Sequence, residues 1–473
     1  MAKRCVILFL IVFPICCFGQ NGILVIKNAT IIDVKYDKVT RDKIVIIEGN
    51  KIMSIDDGKA AIPKQATVID AKGKYLIPGL WDMHTHSLRK ERWPYFFPLF
   101  IANGVTGIRD MGSDMGLDEI MILRNEIEAA KIIGPRLGCV TGKILDGPPR
   151  PDTTLFTYPA DADMAKQIVQ SYKKQGACFI KVYNMLAIDT YLAIAGECKK
   201  SNIHFAGHVP FSITATEAST AGQRSIEHLS DIHVSASSNE TELRADLEKS
   251  KSINAVQSSK KGMEINFIAA QNYNREKALA LFSTFVRNET WQCPTLRNLQ
   301  IVTAHADLVR LMNDDRLKYF PNSLKENWKR VLLLRKTGDS AQRAFFFTQC
   351  LKLVADMQRA GVKMLAGTDL SNNFLMPGFS LHDELELMVK AGLSPFEALQ
   401  TATINPAKFL GREKELGSVE RGKIADLILL DDNPLENISN TRRIYAVIVN
   451  GKLLQRSNLN DLLRQVEEDI QKL

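Results

Sequence analysis

Two histidines separated by a single residue close an apolar, strand-like run, Pro78-Gly79-Leu80-Trp81-Asp82-Met83-His84-Thr85-His86. Residues two apart on a β-strand point to the same face, so both imidazoles can reach one metal ion. Further groups with ligand or acid–base chemistry close later apolar runs: Lys181 in Phe179-Ile180-Lys181-Val182-Tyr183, His208 in Gly207-His208-Val209-Pro210, His228 in Ile226-Glu227-His228-Leu229, and Asp369 in Gly367-Thr368-Asp369. Each alone has an ordinary structural reading: a loop histidine, a core hydrogen bond, a helix cap or a lysine reaching for the rim. Together, four histidines and one aspartate at the ends of such runs point to a common cation site.

Lys181 is the sharpest clue. An ammonium inside a buried strand is costly and repels nearby divalent cations. With CO2 on its amine as a carbamate, it becomes an anion whose two oxygens can bridge two metals. Four histidines, that carbamate and Asp369 complete a dinuclear site suited to borderline metals such as zinc. A hydroxide held between two cations, its pKa lowered by them, is a nucleophile at neutral pH.

These residues need a scaffold that gathers strand ends. Between about Gly79 and Gly411, short apolar runs alternate with helical segments, the pattern of βα units and a parallel sheet. Eight strand candidates end near His84, Asp110, Thr141, Tyr183, His208, His228, Thr295 and Asp369. Eight units predict an α/β fold, a (β/α)8 TIM barrel with its site at the C-terminal ends of the strands. The polar, mostly helical segments from Asp231 to Leu281 and from Arg297 to Arg359 read as excursions over the mouth. Hairpin-like, β-branched runs from Ile23 to Ile77 return after Gly417, which predicts a small β-sandwich domain formed by both chain termini. The resulting boundaries are a leader over 1–19, sandwich strands over 20–78, the barrel over 79–411, the remaining sandwich over 412–456 and a C-terminal helix over 457–473. The apolar stripe of that helix would dock on the body or on another subunit, so a homo-oligomer stays open.

The N-terminus carries Lys3 and Arg4, an apolar run from Cys5 to Phe18, then Gly19 before Gln20. This matches a secretory signal peptide cleaved after Gly19, and implies an exported protein, periplasmic or secreted. A retained anchor or a lipidated Cys16 or Cys17 fits less well: the run is short for a span, and Ile15 and Cys16 are poor small residues ahead of a lipidation site. No later stretch is apolar enough for stable membrane insertion. Five of the eight cysteines remain after cleavage: Cys139, Cys178, Cys198, Cys293 and Cys350. Odd in number and widely scattered, they read as small buried hydrophobes, with one bridge among them as the alternative. The formal charge of +8 on 473 residues is spread among interleaved acids and bases, which argues against a nucleic-acid partner.

With those motifs in place, the chain after the leader resembles the amidohydrolase superfamily. The His84-Thr85-His86 pair, Lys181, His208, His228 and Asp369 match its ligands in order. Leu76-Ile77-Pro78-Gly79-Leu80-Trp81-Asp82 and Gly417-Ser418-Val419-Glu420-Arg421-Gly422-Lys423-Ile424-Ala425-Asp426-Leu427 look like family hallmarks. Gly207-His208-Val209-Pro210, Ser380-Leu381-His382-Asp383-Glu384-Leu385 and Ala402-Thr403-Ile404-Asn405-Pro406-Ala407 resemble the imidazolonepropionase-like branch that includes Xaa-Pro dipeptidases. The resemblance implies two divalent metal ions, zinc being the natural candidate. His84, His86 and Asp369 would hold one, His208 and His228 the other, with carboxylated Lys181 bridging. It also implies that Asp369 acts as general base and then general acid.

Substrate contacts are expected from Tyr183, two residues after Lys181 and on the same face, from Arg109, whose planar fork suits a carboxylate, and from His382 on the helix after the eighth strand. The substrate would be a small molecule, a dipeptide or N-acyl amino acid cleaved at its amide bond. A mononuclear hydrolase of a cyclic amide, or a deaminase, is the alternative. Deaminases of this superfamily usually carry a glutamate shortly after the fifth-strand histidine, where this chain has Val209-Pro210-Phe211-Ser212. A non-catalytic ligand-binding barrel is the alternative of another class, and it has no use for a costly buried lysine.

Overall fold

The structure is a computed structural model that describes residues 22–58, 60–147, 154–250, 255–303, 308–334 and 339–472. The leader expected over residues 1–19 lies outside the described residues. Near the N-terminus, β1 (Ile23–Asp33), β2 (Lys38–Glu48) and β3 (Lys51–Asp57) form an antiparallel meander. On its other side β1 pairs in parallel with β4 (Thr67–Asp70) and β5 (Tyr75–Pro78).

The middle of the chain forms two parallel ladders. One is three-stranded: β6 (Leu80–Thr85), β7 (Val105–Asp110) and β8 (Arg136–Val140). The other comprises β9 (Ile144–Leu145), β10 (Phe156–Thr157), β11 (Phe179–Val182), β12 (His204–Gly207), β13 (Ser225–Glu227) and β14 (Trp291–Cys293), in the order β10-β9-β11-β12-β13-β14. Two seams link them. At the first, the Cys178 N–H donates to the Val140 carbonyl at 3.0 Å, and a disulfide joins Cys139 to Cys178. At the second, an irregular segment replaces a regular eighth strand. The Gln292 N–H donates to Lys363 O at 2.9 Å, the Met83 N–H to Ala366 O at 2.9 Å, and the Asp369 N–H to His84 O at 2.7 Å. The sheet is therefore two ladders with hydrogen-bonded seams rather than the single eight-stranded ladder expected. The alternative of one bridge among the five cysteines holds for Cys139 and Cys178, while Cys198, Cys293 and Cys350 are free and buried, as expected of small hydrophobes.

The chain then returns to the first sheet as β15 (Leu427–Leu430), β16 (Ile444–Val449) and β17 (Lys452–Gln455). β15 lies antiparallel between β5 and β16, so both chain ends share one eight-stranded sheet. Its Leu-Ile-Leu-Leu sequence is apolar throughout because both faces are covered: Leu427 and Leu429 join the core of the terminal sheet, Ile428 and Leu430 the main core. Asn450 and Gly451 make the two-residue turn between β16 and β17, with φ of +50° and +78°, as a type I′ hairpin requires. The last helix, Arg456–Gln471, buries Leu459, Leu462, Val466 and Ile470 as one stripe and packs on the helix Trp93–Ala102. No helix among the described residues is long and apolar enough to cross a membrane.

Candidate metal centre

His84 and Asp369 lie at the second seam, where one backbone hydrogen bond joins them. Asp369 Oδ1 stands 3.3 Å from His84 Nε2 and 3.5 Å from His86 Nε2, and Oδ2 is 3.8 Å from His228 Nδ1. The His84 and His228 rings are 4.5 Å apart between centroids, and His228 and His208 are 4.8 Å apart. Lys181, on β11, is buried, and its Nζ has no hydrogen-bond partner among the described residues. Burial pulls its pKa below the usual lysine value, against the opposing pull of Glu227 and Asp369. A less basic amine is closer to the neutral form that reacts with CO2. The six residues singled out in the sequence thus lie in one neighbourhood, with His84, His86 and Asp369 close enough together to hold one ion.

The Nδ1 atom of each histidine is occupied. His84 Nδ1 meets Glu227 Oε2 at 2.7 Å, His86 Nδ1 the Gly112 carbonyl at 3.0 Å, His208 Nδ1 the Asn184 Oδ1 at 2.6 Å, and His228 Nδ1 the Thr295 hydroxyl at 2.7 Å. Carboxylate and carbonyl oxygens only accept, so Nδ1 carries the proton on the first three rings and Nε2 presents a lone pair. His84 Nε2 has no hydrogen-bond partner among the described residues. Its lone pair and that of His86 both face Asp369 Oδ1, an acceptor when that carboxyl is ionised. Acceptors so arranged repel one another until a cation sits among them. Burial first, then the charge of Lys181, pushes the pKa of His86 and of His228 down to about 3, so both rings are neutral as ligands must be. His228, Thr295 and Asp369 all hold left-handed backbone, with φ of +61°, +49° and +66°, the kind of strain that clusters at functional sites.

Two expected substrate contacts lie elsewhere. Arg109 is fully buried and points across the interior to Glu227 and Ser225, so it cannot meet a substrate. His382 is buried between the Thr441 hydroxyl at 2.9 Å and the Asn103 carbonyl at 3.0 Å. Both side chains spend their polar atoms on partners inside the protein. Tyr183 does lie at the site, its ring 4.0 Å from that of His208 and 5.4 Å from that of Phe156.

Several functional neighbours escaped the sequence reading. The Asn298 and Asn372 amides donate to Asp369 Oδ2, at 2.8 and 2.5 Å, which turns Oδ1 toward the histidines. Asn184 and Thr295 orient rings, and Glu227 anchors His84. Only Glu227, an acid inside the apolar run before His228, left a signal. His84, Glu227 and Cys293 also lie within ligand distance of one another. That trio is no second metal site, because Glu227 already faces the Arg109 guanidinium at 3.0 Å and a divalent cation would meet its charge.

Residues 75–454 match the model of the amidohydrolase family. The chain belongs to that family. The amidohydrolase is 24% identical over 484 aligned residues to a 5-methylthioadenosine/S-adenosylhomocysteine deaminase of Bacillus cereus, covering 90% of this chain and 92% of the relative. Its fold is similar to that of a Xaa-Pro dipeptidase crystallised with methionine in its active site, with a TM-score of 0.65 and 22% identity over 92% of this chain and 100% of that one. It is also similar to bottromycin amidohydrolase, with a TM-score of 0.72 and 19% identity over 96% and 91% of the two chains. As an amidohydrolase it is a hydrolase acting on carbon–nitrogen bonds, from a family that is generally metal-dependent.

Proposed function

We propose that this amidohydrolase is an exported, metal-dependent enzyme that cleaves the amide bond of a dipeptide or N-acyl amino acid. The observation that carries the metal reading is the set of facing acceptors: two Nε2 lone pairs turned on one carboxylate oxygen, beside a buried Lys181 amine without a partner. We read the two ladders and their seams as a (β/α)8 barrel, and the shared terminal sheet as a sandwich folded over its own apolar face. His84, His86 and Asp369 would hold one cation, His208 and His228 a second, and carboxylated Lys181 both, with zinc as the first candidate. When bound, such cations lower the pKa of water and polarise a carbonyl. Asp369, its pKa raised chiefly by burial, takes the proton of the attacking water and delivers it to the departing amine. Asn298 and Asn372 hold its carboxylate in place for both transfers. Tyr183, beside His208, contacts the substrate.

Export is supported by the leader and by the Cys139–Cys178 disulfide, a bond that persists in oxidising compartments. The amide reading rests on the absence of a glutamate after His208 and on the dipeptidase-like fold. Deamination is the second reading, favoured by the extent of the deaminase match. The test is metal analysis of the chain from Gln20 onward, produced with added bicarbonate, beside Lys181→Ala. About two metals per chain, lost in the variant, support the reading. One metal in both sinks the dinuclear site. Release of free amino acid from dipeptides and N-acyl amino acids, without ammonia from adenosine derivatives, separates the two activities, and fractionation of cells locates the protein.

A further inference from the structure

We propose that the buried Arg109–Glu227 pair is a positioning device for His84, fixing its ring so that Nε2 rather than Nδ1 faces the cation site. The inference rests on the metal reading above. Glu227 ends β13 and shares a face with Ser225, two residues before it, whose hydroxyl it meets in the interior. Its carboxylate accepts from His84 Nδ1 at 2.7 Å, from Arg109 Nη2 at 3.0 Å to each oxygen, and from the Ser225 hydroxyl. Arg109 in turn spends every nitrogen. Nε donates to the carbonyl of Met83 at 2.5 Å, Nη1 to Ser225 Oγ at 2.9 Å, and Nη2 to Glu227. One planar fork therefore ties together the strand that carries His84, the strand that carries His228 and the carboxylate that holds the His84 ring.

His84 Nδ1 meets a carboxylate at hydrogen-bond distance. Gly112, Asn184 and Thr295 offer His86, His208 and His228 neutral partners. A carboxylate behind a ligating imidazole fixes the tautomer and makes the opposite nitrogen a stronger donor to metal. Arg109 and Glu227 touch neither substrate nor cation; they act through His84.

The test compares metal retention against a chelator in the wild type, in Glu227→Gln and in the double variant Arg109→Met/Glu227→Gln. The double variant leaves no buried charge unpaired, so it keeps the fold where a single truncation risks losing it. Retention of one cation should weaken about 10- to 100-fold in both variants while metal-free melting of the double variant stays near wild type. Nitrogen-15 NMR of histidine-labelled, metal-free wild type supplies a second readout that needs no altered fold: His84, assigned by its loss in His84→Ala, should be protonated on Nδ1. Equal retention in all three proteins, or a proton on Nε2, overturns the inference. A wild type that binds no metal sinks the metal reading instead, and the NMR result still decides the tautomer.

Discussion

His84 enters the metal centre from a dry, charged foundation: its side chain is 0% exposed, and behind it stand Glu227 and Arg109, equally buried. His228 enters from a softer one, 14% exposed, with a hydroxyl behind its ring, and its neighbour His208 leans on an amide and stacks near Tyr183. Charge-assisted hydrogen bonds in a low-dielectric interior hold a ring harder than neutral ones near water. The difference is one of burial and charge: a buried ion pair holds the His84 ring, whereas neutral partners hold the rings of His208 and His228.

The largest test of that contrast is Lys181, whose charge acts on His84 and His228 alike. Lys181→Ala should lose metal and turnover together, and short carboxylic acids added to the variant should restore part of both; metal analysis and a progress assay check this. Asp369→Asn should lower kcat by about 10²- to 10⁴-fold, since it removes the proton carrier, with a smaller change in KM. Asn184→Ala should loosen only the cation of the softer side, at the low end of about 10- to 100-fold in a chelator titration. A loss matching that of Glu227→Gln would erase the contrast between the two sides.

Two further tests lie outside the contrast and calibrate it. Cys139→Ser/Cys178→Ser should cost about 2–4 kcal/mol in urea unfolding without moving metal affinity, because the disulfide joins strands rather than ligands. The last test concerns His382, whose burial pushes its pKa down to about 3. An unfolded histidine binds a proton near pH 6.5, so this group contributes stability above that value which is lost progressively as pH falls toward 3. His382→Gln should flatten that part of the stability profile by about one proton and leave the metal centre unchanged.

The grouping of the candidate residues was legible because period-two alternation and strand ends are written locally: His84 and His86 share a face, and the observed strands end within a residue or two of most expected ends. What alternation does not carry is depth. Arg109 stands one residue before a strand end, as Lys181 stands two before Tyr183, yet it serves the layer beneath the mouth and not the mouth itself. The partners of His208 and His228, Asn184 and Thr295, lie 24 and 67 positions away and have ordinary loop chemistry. The Cys139–Cys178 pairing depends on two strands being neighbours in space, which spacing cannot reveal. Regularity was overestimated at the eighth element, where the left-handed backbone of Asp369 interrupts the ladder.

The placement of β15 against β5 sets a birth order for the protein. Pro78 and Leu427 are partners 349 positions apart, so the strand just ahead of the His84 run has no neighbour on that side until the chain's final segment has left the ribosome. A transcript cut short before Asp426 would yield a chain holding every residue of the candidate centre, yet with an open apolar edge where its last strands belong, a template for aggregation rather than an enzyme.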